Sequence, residues 1–264
     1  MGGYRLGSVK KQIISLRDVE HRYGKIHALQ AEDISIINND LTAIVGPNGG
    51  GKSTLLKIMA GIIKPLRGDV FRHTNAPVAY LPQNTQIDRT FPMLVEDVVA
   101  MGLWHSIKTF GRIGVDAKRQ IKESLELVGL RGFEKRSLYE LSGGQLQRML
   151  FARLAIQDAK IMFLDEPFAA VDAKTTKALL DLIKSWHKSG KTIVIVLHNI
   201  PLVRQNFPKS LLLARHVYGY GSTNEVLTQE TMNAMAFEAF CSSGSGSSKD
   251  QPPEDGIYGG LTDV

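Results

Sequence analysis

A lysine and a hydroxyl residue, Lys52 and Ser53, close a glycine-rich run: Gly46-Pro47-Asn48-Gly49-Gly50-Gly51-Lys52-Ser53-Thr54. A glycine, four free positions, then Gly-Lys and Ser or Thr is the spacing of a loop that cradles phosphates. Glycines let the backbone turn its N–H groups inward, and a helix opening at Lys52 adds a fixed positive partial charge. In such a loop Lys52 reaches the β- and γ-phosphates and the Ser53 hydroxyl binds Mg²⁺. Three more stretches bear chemistry. Asp165-Glu166-Pro167 ends the apolar run Ile161 to Leu164; Asp165 can hold the magnesium shell, and Glu166 can accept a proton from water. Leu141-Ser142-Gly143-Gly144-Gln145 joins a hydroxyl to glycine N–H groups at a helix start and suits a second phosphate contact. His198 ends another apolar run. Taken alone, each of the last three has an ordinary reading as a loop start, a helix start or a solvated histidine. Beside the lysine loop they point to a nucleoside triphosphate site.

The elements that must position these groups can be read from hydrophobic patterning. Leu41-Thr42-Ala43-Ile44-Val45 reads as a buried strand feeding the loop, and Leu55, Leu56, Ile58 and Met59 as a well-buried helix leaving it. Val78 to Leu81 predicts a strand ending at Pro82-Gln83, and Ile161 to Leu164 and Ile193 to Leu197 predict two more. A helix carrying Leu179, Leu182, Ile183 and Trp186 lies between the last two. Strands apolar on both faces and alternating with helices imply an α/β fold with a parallel sheet. In such sheets ligands bind at the carboxyl ends of the strands, where the acids stand.

Ahead of this core, Ile13 to Leu16 and Ile34 to Ile37 are β-like, with turn chemistry around Gly24; Asn38-Asn39-Asp40 is a tight connection tolerant of left-handed backbone. The period then turns helical over about 88–157: Ile121, Leu125 and Val128 sit at i, i+4, i+7 behind Asp116 as N-cap, and Leu146, Met149, Leu150 and Leu154 repeat the pattern. Val217 to Gly221 suggests a hairpin and Thr228 to Phe240 a terminal helix. The expected organisation is a flexible arm over 1–11, one domain over 12–240 with the helical block inserted, and a disordered Ser/Gly/Pro-rich tail over 241–264.

Composition narrows the class. With 264 residues, 43% apolar and 22% charged, the chain can bury a proper core. No apolar run approaches the ~20 residues of a membrane-spanning helix, and the first residues lack the apolar stretch of a signal peptide. The lone Cys241 rules out an internal disulfide and fits a reducing compartment. The net charge of +6 is compatible with nucleic acid or an anionic membrane surface, but it comes from scattered residues with no basic run and is a weak signal; no nucleic-acid partner is expected. The seven histidines show no i, i+4 pair and no cysteine partner, so no transition-metal site is readable.

Taken together and in this order, the motifs resemble the ATPase subunits of ABC transporters over residues 12–240. The resemblance implies a P-loop NTPase of the ABC ATPase type: a mostly parallel core sheet, an N-terminal antiparallel β part and an inserted helical subdomain. It implies Tyr23 stacked on adenine, Gly46 to Thr54 around the triphosphate, and Mg²⁺ held by Ser53, Gln83 and Asp165. Glu166 would be the general base, His198 would hydrogen-bond the γ-phosphate, and Gln83 would sense the transporter. Ser142 to Gln145 would cap the ATP of a partner subunit, and Ala169 to Asp172 would communicate across the dimer. The chain departs from the family at Asn199, where aspartate is common, at Asn39, where glycine is frequent, and at Gly50, often Ala or Ser. Asn199 could alter the setting of His198.

Asp88 to Pro92, Val95 to Gly102, Glu166 to Ala169 and Gly221 to Thr228 look like the zinc/manganese/iron importer branch. That implies a homodimer working with an integral membrane permease and an extracytoplasmic metal-binding protein, on the cytoplasmic face of the cell membrane. ATP and Mg²⁺ are the implied cofactors. A siderophore or haem importer is the alternative, as is a soluble ABC ATPase of DNA repair or translation. The latter usually carries a second nucleotide domain or a long coiled-coil insertion, and neither is present.

Overall fold

The computed structural model describes residues 11–83, 92–104, 114–169 and 171–243. The first described element is a long strand, β1 (Gln12–Tyr23), which turns through Gly24 into β2 (Ile26–Ala31) and on to β3 (Ile34–Ile37). A tight turn at Asn39, φ 58°, leads into β4 (Leu41–Val45), buried at every position, and the loop after it feeds α1 (Lys52–Ala60). Then come β5 (Arg67–Arg72) and β6 (Val78–Leu81). A helical stretch follows with α2 (Val95–Ala100), α3 (Val115–Leu127) and α4 (Gly143–Gln157). Alternation resumes through β7 (Ile161–Asp165), α5 (Ala173–Lys188), β8 (Thr192–Val196), α6 (Ile200–Asn206) and β9 (Lys209–Ala214). The described chain ends with β10 (His216–Ser222), α7 (Thr223–Val226) and α8 (Gln229–Ser243).

Two sheets result. β1 pairs antiparallel with β2, β3 and β5 in a four-stranded sheet. The six-stranded core sheet has the order β10-β9-β4-β8-β7-β6, parallel throughout except for the β10 edge. Because side chains alternate across a strand, each buried strand feeds two cores. Ala43, Val45, Met162, Leu164, Ile193 and Ile195 face the helical side with α4 and α5, where the Phe151 and Trp186 rings stack at 5.9 Å. Ile44, Ile161, Phe163, Val194 and Val196 face α1 and the antiparallel sheet.

The register sets the site. Leu81 lies beside Leu164, Asp165 beside Val196, and Ile44 beside Val196, so four parallel strands end on one edge. The glycine-rich loop, Gln83, Asp165-Glu166 and His198 all emerge there.

Local readings differ in a few places. Gly114, not Asp116, is the N-cap of α3; Asp116 sits in the first turn, where a carboxylate also favours the helix dipole and accepts from Arg119. β5, whose Arg-Gly-Asp-Val-Phe-Arg sequence is mostly exposed, carries no apolar run to announce it. The terminal helix runs past Phe240 to Ser243 and takes in Cys241. Residues 1–10 of the expected arm over 1–11, residues 88–91 and 105–113 of the helical block, Ala170, and residues 244–264 of the expected tail over 241–264 lie outside the described residues.

Candidate nucleotide site

The loop between β4 and α1 is shaped by what its glycines lack. Gly51 caps α1 at φ 86°, and a Cβ there would stand 2.4 Å from the Ala28 carbonyl oxygen. At Gly46 a Cβ would stand 1.8 Å from the Leu213 carbonyl oxygen. At these two positions the loop lies against β9 and β2 with no room for a side chain. Lys52 is only 5% exposed, and its Nζ donates to the carbonyls of Gly46 at 3.0 Å and Pro47 at 2.7 Å. Burial lowers the ammonium's pKa, and the nearby Glu166 and Asp165 carboxylates push it back up. A cation folded onto carbonyls in this way is ready to exchange them for phosphate oxygens.

Asp165 ends β7 and is 1% exposed. Its Oδ1 accepts from the Ser53 hydroxyl at 3.0 Å and its Oδ2 from the Tyr80 hydroxyl at 3.4 Å. Burial raises the Asp165 pKa and Glu166 adds to the rise; the hydrogen bonds from Ser53 and Tyr80 and the Lys57 charge act against it. Tyr80 itself is pushed up, first by burial and then by the Asp165 charge. Glu166 sits at φ 47°, a left-handed conformation costing a β-carbon residue roughly 1–2 kcal/mol. Its Oε1 lies 2.5 Å from His198 Nε2. A cavity of 310 Å³ gathers Tyr23, His27, the loop from Asn48 to Thr54, Gln83 and Glu166. Tyr23, 49% exposed and in a T-shaped contact with His21 at 4.9 Å, brings an aromatic ring to this lining, the kind of group on which a planar base stacks. Lys52 and the loop N–H groups suit a triphosphate, and the Ser53 hydroxyl with the Asp165 carboxylate are hard oxygen donors of the kind Mg²⁺ takes.

Residues 29–169 match the protein-family model described as ABC transporter. The chain is 41% identical over 196 residues to the manganese transport system ATP-binding protein MntB of Halalkalibacterium halodurans, covering 72% of this chain and 78% of that one. It is 38% identical over 223 residues to the zinc transport system ATP-binding protein TroB of Treponema pallidum, covering 82% and 84%. This chain belongs to the ABC transporter ATPase family. Its fold superposes with TM-score 0.77 on a chain of an inward-facing structure described as a metal-chelate type ABC transporter, at 28% identity over 86% of this chain and 90% of that one. It also superposes with TM-score 0.70 on a dimeric bacterial ABC transporter cassette, MJ0796, at 25% identity over 80% and 99%. As an ABC transporter ATPase it binds ATP and couples hydrolysis to transport. Among the described residues no helix is long and apolar enough to cross a membrane.

In this ABC ATPase the Ser-Gly-Gly-Gln stretch is the N-terminus of α4. Ser142 Oγ accepts from Gln145 N at 3.2 Å, and Gln145 Oε1 accepts from Ser142 N at 2.9 Å, a reciprocal capping box. None of residues 142–145 lines the 310 Å³ cavity. Asp172 likewise caps α5, accepting from Thr175 N at 2.9 Å and Thr175 Oγ1 at 2.7 Å, and these bonds hold its carboxyl below the usual range. A Cβ on Gly144 would lie 3.9 Å from Asp172 Oδ2, so the α4 N-terminus and the α5 cap stand together. The structure thus gathers Tyr23, the glycine-rich loop, Gln83, Asp165, Glu166 and His198, and leaves Ser142 to Gln145 and Asp172 apart from them. Tyr80 is the site residue that the sequence reading passed over; its signal was a polar tip on a buried strand three residues before Gln83.

Asn199 has a settled position. Its Oδ1 accepts from Leu202 N at 2.8 Å as the N-cap of α6, the bond an aspartate would make. Asn199→Asp should keep that bond and add a charge at the positive helix end, with a gain of roughly 0.3–1 kcal/mol. ATP turnover should stay within about twofold of the parent, since the His198 ring is set by Glu166. Thermal melting and a turnover assay check both; a large loss of turnover would show that Asn199 acts on His198 after all.

Proposed function

We propose that this ATPase powers import of a divalent metal ion, manganese or zinc, through a membrane permease served by an extracytoplasmic metal-binding protein. The observation that carries the reading is its likeness, over most of its length, to ATP-binding proteins of manganese and zinc transport systems. In this reading the protein is peripheral on the cytoplasmic face of the membrane. Two copies face each other head to tail. The separation of Ser142 to Gln145 from the cavity supports this: the stretch has no nucleotide to serve in its own chain and is free for the partner's.

Each residue then has a role. Tyr23 stacks on adenine, and the N–H groups of Gly46 to Thr54 hold the phosphates. Lys52 releases the Gly46 and Pro47 carbonyls and moves to the β- and γ-phosphate oxygens. Ser53, Gln83 and Asp165 would hold Mg²⁺, which would supply charge neutralisation to the triphosphate. Glu166 takes a proton from water, whose oxygen attacks the γ-phosphorus as the bond to the ADP oxygen breaks. His198, freed from Glu166, donates to a γ-phosphate oxygen. Ser142 to Gln145 close on that phosphate from the partner, and Asp172 links the two sites. ATP favours the closed dimer and ADP does not, and this differential affinity drives the permease.

The test is accumulation of manganese, zinc and iron in cells lacking this chain. Manganese or zinc accumulation should fall and recover when the gene is restored. Unchanged accumulation of all three would remove the metal assignment, and co-purification with a multi-helix permease separates a transporter subunit from a soluble ATPase.

A further inference from the structure

Two residues beyond the capping box, α4 makes a second polar contact. Gln147 Nε2 donates to the Pro167 carbonyl at 2.7 Å, from a half-buried position to a buried one. Pro167 follows Glu166 directly, and Glu166 sits in its left-handed conformation. A strained residue of this kind persists only where its surroundings over-determine it. Among the described residues, Glu166 N donates to Val196 O at 3.2 Å, and Ala169 N donates to Glu166 O at 3.2 Å. The Gln147 bond is shorter than both, and it alone of the three ties the segment to α4. Gly144 and Asp172 bring the same two segments close again one turn earlier.

α4 is a continuous helix of 15 residues, so its first turn and Gln147 move together. That first turn is the part offered to the partner's nucleotide, while Glu166 serves the nucleotide in its own chain. We propose that Gln147 is a positioning residue: through Pro167 it passes the setting of the α4 N-terminus to Glu166, so that closure on ATP in one site sets the base of the other. This rests on the head-to-tail dimer proposed above. The amide donor carries the function, because the acceptor on Pro167 is a carbonyl oxygen. Lysine can replace the donor; glutamate and methionine cannot.

The test compares Gln147→Met, Gln147→Glu and Gln147→Lys in the full chain, measuring ATP turnover against ATP concentration, ATP affinity without turnover, and thermal melting. Loss of one such bond predicts a turnover about tenfold lower in the Met and Glu variants. Their Hill coefficient should fall from about 2, the limit for two coupled sites, to about 1. ATP affinity should stay at the parent value and melting should fall by only roughly 2–4 °C, and Gln147→Lys should recover both turnover and cooperativity. Parent-like turnover and cooperativity in Gln147→Met would overturn the proposal. So would equal impairment of all three variants, or loss of ATP affinity in all three, since either marks a packing role. Glu166→Gln separates the two readings: if it stays monomeric with ATP, the head-to-tail dimer fails; if it dimerises while Gln147→Met turns over normally, only the role of Gln147 fails.

Discussion

Glu166→Gln should lower steady-state ATP turnover about 10²–10⁴-fold, the range that a positioned general base supplies. The substitution is nearly isosteric. A glutamine oxygen can still meet His198 Nε2, where the carboxylate now lies at 2.5 Å, so the His198 ring keeps its partner. The left-handed backbone at 166 is held by Val196 and Ala169 contacts that do not involve the side chain. What goes is the capacity to take a proton from water. Binding should survive, because Lys52, Ser53 and the glycine-rich loop are untouched. ATP that binds and is not cleaved should then accumulate the closed dimer, visible as a doubled mass by light scattering and reversed by removing ATP. Unchanged turnover would show that another group activates the water.

The residues that carry this expectation differ in how openly the sequence displayed them. The glycine-rich loop is legible because its chemistry is local: spacing, flanking strand and helix all lie within about twenty residues, and the turn demands glycines wherever β2 and β9 approach. The α4 N-terminus is legible for the same reason, since a capping box spans four consecutive residues. Asp165 and Glu166 follow from the rule that ligands meet parallel strands at their carboxyl ends. The Tyr80–Asp165 bond joins residues 85 apart, and period-2 patterning says only which face a strand residue takes, not what its tip meets. Gln147 and Pro167 are hidden likewise: a polar residue on an amphipathic helix normally reads as solvated. Asn199 was read as a departure near His198, yet its side chain is engaged by a backbone N–H. Nothing in the residue types alone distinguishes a cap from a contact. Sequence patterning thus resolves elements and local motifs, while pairings across the sheet edge wait for the register that brings four strand ends together.

That sheet edge also stores a cost, which a second substitution exposes. Asp165→Asn should abolish most turnover, by about 10²-fold or more, and yet make the nucleotide-free protein more stable. The buried Asp165 carboxyl has its pKa raised by burial, with Glu166 adding to the rise. The folded state therefore holds a proton that the unfolded chain has released, over the interval from about pH 3.9 up to the raised value. Within that window stability falls as pH rises; above it the ionised group is a constant cost. An amide removes the charge and keeps the contacts, its Oδ1 accepting from Ser53 and its Nδ2 donating to the Tyr80 oxygen. At neutral pH the variant should melt roughly 2–4 °C higher for a gain of about 1 kcal/mol, and the difference should vanish as pH drops below the window. Mg–ATP should reverse the order, because ligand at about 100 times its dissociation constant stabilises the parent by about 2.7 kcal/mol and the variant far less. Melting curves across pH, with and without Mg–ATP, decide the matter. A variant that melted lower than the parent at neutral pH without nucleotide would show that Asp165 supports the fold through its charge, and that the carboxylate is not held at a cost for the cation it would bind.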